Sequence, residues 1–306
     1  MIFHSFSELL KHVNASGRTY CVAIAGAEDE HTLEAVLAVR AEGAIRPLLV
    51  GDPAKITQAL RKLGADVQFL DVYSAASFPE AAATAVRLVR EGKADFIMKG
   101  AMETADILRA AVNKETGLGA GRVMSHMAIN EIPAYHKLLV TTDGGMLLSP
   151  SLEQKKHIIE NAVHALRSMG YERPKVGVLS AAERVNSKLS DSTDAAALRE
   201  MNQSGEISNC IVEGPISFDL ATVKARAEAK GYESDCAGDV DILLVPNITA
   251  GNILGKSLVE MAGAKMAGLV VGAKCPIVVT SRGSSAEEKT NALFLAAAIM
   301  QKGAVS

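Results

Sequence analysis

The sequence lacks the features that mark membrane-spanning, secreted or nucleic-acid-binding proteins. No apolar run reaches the ~18 residues that a membrane-spanning helix needs. The formal net charge is only -3, so the whole molecule has no field that attracts nucleic acid or an anionic membrane. The start of the chain has no long apolar segment and no small-residue cleavage site. We therefore expect no signal peptide and a cytoplasmic protein with small-molecule partners.

The sequence also lacks clustered metal ligands and nucleotide-binding loops. Its four cysteines are far apart and form no Cys-x-x-Cys pair, so we expect reduced, mostly buried thiols rather than a disulfide scaffold or zinc ribbon. His157 and His164 are two turns apart on a predicted helix, too far for the usual metal pair. There is no GxxxxGK[ST] motif. We predict no metal site and no P-loop chemistry.

Short apolar runs alternate with longer amphipathic stretches from Tyr20 onward. The runs YCVAIAGA, RPLLVGD, VQFLDV and ADFIMKG are bounded by Gly, Asp or Pro, as inner strands of a parallel sheet are. The stretches between them have helical periodicity and end near glycines. This alternation predicts βαβ units and an α/β fold with a largely parallel sheet.

A second α/β cycle begins after an irregular stretch. Residues 113–137 have no sustained period, and we interpret them as a loop, an irregular strand and a crossing into a second domain. A helix is predicted from about Pro150 to Met169, with Ser151 and Gln154 as its capping pair. We expect a discontinuous first domain of residues 1–135 plus 272–306, a second domain of residues 136–271, and a cleft between two α/β lobes.

The stretch CPIVVTSRGSSAEEK contains the first candidate site. Ser281, Arg282 and Gly283 follow a predicted strand and precede a helix, so a hydroxyl, a guanidinium and backbone N–H groups can converge on a phosphate-sized anion. Gly283 lets the backbone approach closely. The alternative is a tight turn with Arg282 in solvent.

Glu288 has two possible roles. Ser285 and Glu288 have capping-box spacing, in which Glu288 only reaches back to a backbone N–H. Alternatively, the carboxylate faces the cleft and removes a proton from a substrate. We expect the helix dipole to lower the pKa of Glu288.

Several other predicted strands are followed by segments that contain polar residues or glycines. One such strand ends at Lys99. Thr104 is predicted to cap the helix that follows, and Arg109 on this helix would complete a second anion site. The alternative is a simple helix cap with an exposed arginine. Ligands bind at the carboxyl ends of strands in doubly wound sheets. The remaining candidates at such ends are Asp143, Asn247, Gly251 and Asn252.

These motifs together resemble one family. The stretches ADFIMKG, VNKETGLGAGRVMSH, DAAALREM, VEGPISFDLA, VPNITAGNILGK and VVTSRGSS make the chain similar, over nearly its whole length, to phosphate acyltransferases, and closest to the butyryl branch. The resemblance implies two α/β lobes like those of isocitrate and isopropylmalate dehydrogenases, with the active site in the interdomain cleft. It also implies a homodimer or higher homo-oligomer, coenzyme A as a substrate, and no tightly bound cofactor or required metal.

The resemblance also implies residue roles. The family's Ser-Arg pair falls on Ser281 and Arg282, which would bind phosphate and hold the transition state, and a family arginine falls on Arg109. The acetyl enzymes have an aspartate, the proposed base for the CoA thiol, seven residues after the motif serine. Here Glu288 keeps the carboxylate and adds a methylene.

The function that follows is the interconversion of a short-chain acyl-CoA and phosphate with acyl phosphate and CoA. We expect a butyryl-type enzyme acting on C3 to C5 acyl groups by direct thiolate attack in a ternary complex. The alternatives are a phosphate acetyltransferase, a hydroxy-acid dehydrogenase that uses NAD and a divalent metal, and a non-catalytic CoA-binding protein.

Overall fold

The computed structural model of the protein describes residues 1–65, 68, 70–281 and 283–301. Contacts divide the chain into two compact units. The flanking unit contains Ser7–Arg122 and the residues from Ala267 onward, and the central unit contains Met1–Phe6 and Val123–Met266. The domain boundaries expected from the sequence, after residues 135 and 271, stay a prediction.

The amino-terminal part of the flanking unit alternates strands and helices, as the apolar runs predict. The run VQFLDV is an exception, because β3 begins only at Asp71 and residues 67 and 69 lie outside the described residues. Asp52 and Ser77 cap two of these helices through their side chains, and Pro53 occupies a first helical position, where its missing N–H has no partner to lose. The elements are α1 (Phe6–Ala15), β1 (Tyr20–Ala25), α2 (Glu30–Ala41), β2 (Ile45–Gly51), α3 (Pro53–Lys62), β3 (Asp71–Ser74), α4 (Phe78–Arg90), β4 (Phe96–Lys99) and α5 (Thr104–Ala111).

The central unit has five strands and five helices among the described residues. Helix α6 begins with the expected capping box between Ser151 and Gln154, so this prediction is confirmed. The elements are β5 (Ser125–Glu131), β6 (Leu139–Thr142), α6 (Leu152–Ser168), β7 (Lys175–Leu179), α7 (Ser190–Gln203), β8 (Ile211–Ile216), α8 (Phe218–Thr222), α9 (Lys224–Ala229), β9 (Ile242–Leu244) and α10 (Ile248–Ala262).

The chain then supplies the last elements of the flanking unit, which are β10 (Lys265–Val271), β11 (Ile277–Val278) and α11 (Ala286–Met300). The strands of the flanking unit follow the order β3-β2-β1-β4-β11-β10. Strand β4 runs parallel to β1 on one side and to β11 on the other. Ile24, Met98 and Val278 stand in register across the three strands. The residues that leave these strands therefore emerge side by side at one edge of the sheet.

The central unit has the strand order β5-β6-β9-β7-β8. Strands β6, β9, β7 and β8 pair in parallel, whereas β5 is antiparallel to β6. Most strand pairs within the two units are parallel, so the expected α/β class with a largely parallel sheet is confirmed. No helix among the described residues has the length and apolar character to cross a membrane.

The irregular stretch 113–137 contains a more regular strand than the sequence indicates. Strand β5 has seven residues, and polar Ser125 and Asn130 are fully buried within it. Their partners explain this burial, because Asn161 Nδ2 donates to Ser125 Oγ at 3.0 Å and Asn130 Nδ2 donates to the Leu139 carbonyl at 3.1 Å. Buried polar residues that find hydrogen-bond partners outside their own strand hide that strand from sequence periodicity.

Helix α10 packs closely against the loop that follows β6. A Cβ atom added to Gly251 would lie 2.6 Å from the Cα of Gly144 and 2.8 Å from a methyl group of Val245. One turn later, a Cβ atom added to Gly255 would meet nothing within 4 Å. The two glycines share a helix but differ in the space around them.

This difference predicts opposite effects for one substitution. Gly255→Ala should stabilise the protein by ~0.5–1 kcal/mol, because alanine loses less backbone entropy in a helix. Gly251→Ala gains the same backbone entropy, but its new methyl group would force Gly144 and Val245 apart. Such overpacking typically costs ~1–3 kcal/mol, so we expect net destabilisation. Urea unfolding of both variants measures the difference. A Gly251→Ala protein as stable as Gly255→Ala would contradict the close packing.

Candidate active site

A cavity lies at the edge of the flanking sheet where β1, β4 and β11 end. Its volume is about 200 Å³. The lining residues come from the segments that leave these three strands and from the first turns of α2 and α11, and they are Asp29, Thr32, Lys99, Gly100, Ala101, Thr280, Ser281 and Lys289. Ligands of parallel α/β sheets bind at such carboxyl edges. We call this space the strand-end cavity.

Two buried lysines give the strand-end cavity a positive lining. Lys99 is 5% exposed, and its Nζ donates to the carbonyls of Gly100 at 3.2 Å and Met102 at 3.1 Å. Lys289 is 3% exposed, and its Nζ donates to the Ser284 carbonyl at 2.7 Å. Two buried ammonium groups beside one small cavity give its lining positive charge, which attracts an anionic ligand.

Asp29 adds one negative charge to this lining and has a structural role. It is the N-cap of α2, where its side chain accepts hydrogen bonds from the backbone N–H and the hydroxyl of Thr32. The hydroxyls of Thr280 and Ser281 add neutral polar groups to the cavity wall. The described lining thus combines two cations, one capped carboxylate and several hydroxyls, a set that suits an oxyanion.

The loop after β11 is held by hydrogen bonds among its own serines. Ser281 N–H donates to Ser284 Oγ at 3.0 Å, the Ser281 and Ser284 hydroxyls lie 3.1 Å apart, and Ser284 N–H donates to the Ser281 carbonyl at 3.2 Å. A Cβ atom at Gly283 would meet only Ser281 Oγ, at 3.9 Å, so packing does not require glycine there. Arg282, predicted to bind phosphate, lies outside the described residues.

Glu288 is in the first turn of α11, and it contacts this serine loop. Its backbone N–H donates to Ser285 Oγ at 3.1 Å, so Ser285 supplies its half of the expected capping box. The carboxylate itself accepts a hydrogen bond from Ser284 Oγ at 2.6 Å. Glu288 thereby connects through Ser284 to Ser281 on the wall of the strand-end cavity.

The expected direction of the Glu288 pKa is wrong. Partial burial raises the pKa of this carboxyl above its usual value, although the Ser284 hydrogen bond and the charge of Lys289 both act to lower it. Removal from water outweighs the favourable end of the helix dipole. A carboxylate with a raised pKa is a stronger base than the sequence alone suggests.

Arg109 lines a different cavity from the one that Ser281 lines. Its side chain is 73% exposed and donates to Asp106 Oδ1 at 3.2 Å. It lines a groove of about 430 Å³ along α4 and α5, together with Arg87 and Arg90. Thr104 is the first residue of α5, and the N-cap position falls on Glu103. The prediction that Thr104 caps this helix is therefore wrong, and a shared anion site for Arg109 and Arg282 stays a prediction.

The candidates in the central unit take structural positions. Asp143 is 2% exposed, and its carboxylate accepts four backbone N–H groups, those of His126, Gly145, Met146 and Leu147, at 2.8–3.3 Å. Asn247 caps α10 by accepting from the Ala250 N–H at 3.0 Å. Gly251 permits the close packing described above, and Asn252 is exposed. These contacts account for Asp143, Asn247 and Gly251 without a ligand.

Sequence reasoning missed most of the residues that line the strand-end cavity, including Asp29 and Thr32, and it missed Ser284 beside it. Lys289 follows Glu288 directly, Thr280 precedes Ser281, and Ser284 lies three residues after Ser281 and four before Glu288. The spacing of Ser284 was a usable signal, because residues at a helix start commonly bond side chains three or four positions away. Among the described residues, no group of three or more His, Cys, Asp or Glu side chains is arranged to hold a metal ion.

Comparisons with known proteins place the chain in a family. The family model described as "Phosphate acetyl/butaryl transferase" matches residues 76–297. The chain is also 39% identical to phosphate butyryltransferase of Clostridium acetobutylicum over 295 residues, which are 96% of this chain and 98% of that protein. The chain belongs to the phosphate acetyl/butyryl transferase family. The resemblance that the motifs indicate is thus confirmed.

Members of this family with different names are equally similar to the chain. Phosphate acetyltransferase of Thermotoga maritima is also 39% identical, over 283 residues that cover 92% of this chain and 96% of that protein. A crystal structure of a branched-chain phosphotransacylase from Enterococcus faecalis V583 superposes with a TM-score of 0.81 and 31% identity, and covers 92% of this chain and 99% of that one. Overall similarity therefore does not separate the acetyl and butyryl branches.

The raised pKa of Glu288 predicts a stability change that depends on pH. Between its unfolded and folded pKa values, the folded state binds more protons at Glu288, so stability falls as pH rises through this window and stays lower above it. Glu288→Gln removes the buried charge, so the variant should be more stable than the wild type at pH 8. This gain should disappear as pH falls below the unfolded pKa.

Chemical denaturation at pH 8 and at pH 4 measures both parts of this prediction. Glu287→Gln is the matched control, since Glu287 is exposed on the same helical turn and should give no gain at pH 8. Equal stability of wild type and Glu288→Gln at pH 8 would mean that Glu288 is not desolvated.

Proposed function

We propose that this protein transfers a short acyl group between coenzyme A and phosphate through the strand-end cavity. The observation that carries the proposal is the convergence of Lys99, Lys289 and Ser281 on one small cavity in a member of the phosphate acetyl/butyryl transferase family. A phosphate or the phosphoryl end of an acyl phosphate matches the charge and hydroxyl content of the cavity wall. Arg282, the next residue after Ser281, is proposed as a further phosphate ligand.

The proposed reaction needs a base, an oxyanion donor and cations. In the direction of acyl-CoA formation, Glu288 takes the proton of the CoA thiol, and the thiolate attacks the carbonyl carbon of the acyl phosphate. Ser281 donates a hydrogen bond to the oxyanion that develops. The bond between the carbonyl carbon and the phosphate oxygen then breaks, and the phosphate leaves toward the lysines. In reverse, phosphate attacks the thioester, and Glu288 returns its proton to the departing thiolate.

The position of Glu288 supports its proposed role. A general base works best when its pKa approaches the working pH, and burial moves the pKa of Glu288 in that direction. General-base catalysis contributes typically ~10²- to 10⁴-fold, and one preorganised oxyanion donor contributes on the order of 10²- to 10³-fold. No covalent acyl-enzyme is required, because both substrates meet in a ternary complex.

The finer parts of the proposal concern substrate size and assembly. We propose a preference for C3 to C5 acyl groups, because the family motifs of this chain are closest to the butyryl branch. A homodimeric or larger assembly in the cytoplasm, with no tightly bound cofactor, completes the proposal.

The activity itself is tested by the release of free thiol. Purified protein with phosphate and acetyl-, propionyl-, butyryl- or valeryl-CoA should release CoA thiol, with the largest kcat/KM for a C3 to C5 chain. A thiol-reactive chromophore measures the rate for each substrate. A preference for acetyl-CoA would contradict only the proposed acyl-chain length. If none of the four substrates releases thiol, the proposed acyltransferase activity is refuted.

The lysine lining predicts a specific loss. Lys289→Met keeps most of the side-chain volume but removes the charge, so kcat/KM for phosphate should fall on the order of 10- to 10²-fold, as expected for a lost hydrogen bond to a charged group. Lys55→Met is the control, because Lys55 is exposed on α3 and is not among the residues that line the cavity. Unchanged phosphate kinetics in Lys289→Met, with normal unfolding, would remove Lys289 from the phosphate site.

A further inference from the structure

Three side chains near the strand-end cavity form a continuous hydrogen-bonded chain. Ser281 Oγ lies 3.1 Å from Ser284 Oγ, which donates to Glu288 Oε1 at 2.6 Å. Ser281 lines the cavity, and Ser284 is only 9% exposed. The buried hydroxyl of Ser284 therefore connects the proposed base to the proposed oxyanion donor.

The number of protons and lone pairs fixes the direction of this chain. An ionised Glu288 only accepts hydrogen bonds, so the single proton of Ser284 is directed to it. The backbone N–H of Ser281 donates to one lone pair of Ser284 Oγ at 3.0 Å. The other lone pair is available to accept the hydroxyl proton of Ser281. With Glu288 ionised, the Ser281 proton therefore faces Ser284 rather than the cavity.

Protonation of Glu288 reverses this direction. When the proton is on Oε1, the oxygen that Ser284 contacts, the carboxyl has an O–H donor that can donate to Ser284 Oγ. Ser284 still accepts from the Ser281 backbone N–H, so its own proton turns to Ser281 Oγ. The Ser281 proton is then free to donate into the cavity. Only the hydroxyl protons rotate, and the one proton gained is the proton that Glu288 takes up.

We propose that Ser284 is a positioning residue that couples proton uptake by Glu288 to the donation of a hydrogen bond by Ser281. This inference rests on the proposed function. When Glu288 takes the thiol proton, Ser281 turns its hydroxyl to the substrate carbonyl, at the step in which negative charge develops on that oxygen. Stabilisation that appears in the transition state and not in the ground state raises kcat.

The surroundings hold Ser284 in its place. Its carbonyl accepts from the buried Nζ of Lys289 at 2.7 Å, and its backbone N–H donates to the Ser281 carbonyl at 3.2 Å. Among the described residues, the charged groups that face this chain are Lys289 beside Glu288, and Lys99 and Asp29 on the wall of the same cavity as Ser281. A fixed backbone allows the hydroxyl protons to reorient without moving the heavy atoms, which keeps the response fast and specific.

The test compares three variants in the direction of acyl-CoA formation. Ser284→Ala should lower kcat by ~10- to 10²-fold, the scale of a misplaced catalytic group, with the KM for acyl phosphate nearly unchanged. The acidic limb of the pH–kcat/KM profile should move to higher pH, because the Ser284 hydrogen bond lowers the pKa of Glu288. Ser284→Thr, which retains the hydroxyl, should restore kcat and the position of the limb.

Ser285→Ala is the matched control in the same loop. It removes the helix cap and should reduce stability by ~0.5–2 kcal/mol. It leaves the chain from Ser281 to Glu288 intact, so the acidic limb should keep its wild-type position. A merely structural role of Ser284 would reproduce this result, with lower stability and an unshifted limb.

The outcomes separate this proposal from the proposed function. If the wild-type enzyme is active, and Ser284→Ala has a near-normal kcat and an unshifted acidic limb, only the coupling is overturned. A limb that shifts but is not restored by Ser284→Thr also contradicts it. Wild-type protein that is inactive with every acyl-CoA and acyl phosphate overturns the acyl transfer, and the coupling with it.

Discussion

The parallel register of β1, β4 and β11 is the constraint on which the strand-end cavity depends. Because Ile24, Met98 and Val278 stand in one row, the segments that leave the three strands emerge together. Lys99 is the last residue of β4, and Thr280 and Ser281 come shortly after β11. A shift of β11 by one residue would turn its side chains to the opposite face of the sheet and move Ser281 away from Lys99.

Burial then determines the chemistry of the groups that this register brings together. Lys99 and Lys289 are nearly inaccessible, so their charges act through protein rather than through water, and electrostatic forces are stronger there. The same loss of water raises the pKa of Glu288 and makes its carboxylate a better base. The positive lining of the cavity and the raised pKa of Glu288 thus share one physical cause, the burial of charged groups near the edge of the flanking sheet.

Polar residues at the other strand ends have structural contacts of their own. Asp143, a candidate because of its strand-end position, accepts hydrogen bonds from four backbone N–H groups and thereby holds the turn after β6. Asn247 is engaged as a helix cap, and Gly251 is required by close packing. Arg109 pairs with Asp106 on an open groove. Strand-end position alone predicts a candidate, and only the contacts of the side chain distinguish a ligand-binding group from a structural one.

The sequence by itself determined the α/β class, the family and the cap of α11, because these depend on periodicity and on residues close together in the chain. The position of Ser285 as the N-cap of α11 and the proximity of Ser281 to Glu288 follow from spacings of three to seven residues. Only the tertiary structure decided that Lys99 and Lys289 share a cavity, that Arg109 lines another groove, and that the pKa of Glu288 rises. Those outcomes depend on burial and on contacts between residues that are distant in sequence, and sequence patterns predict neither.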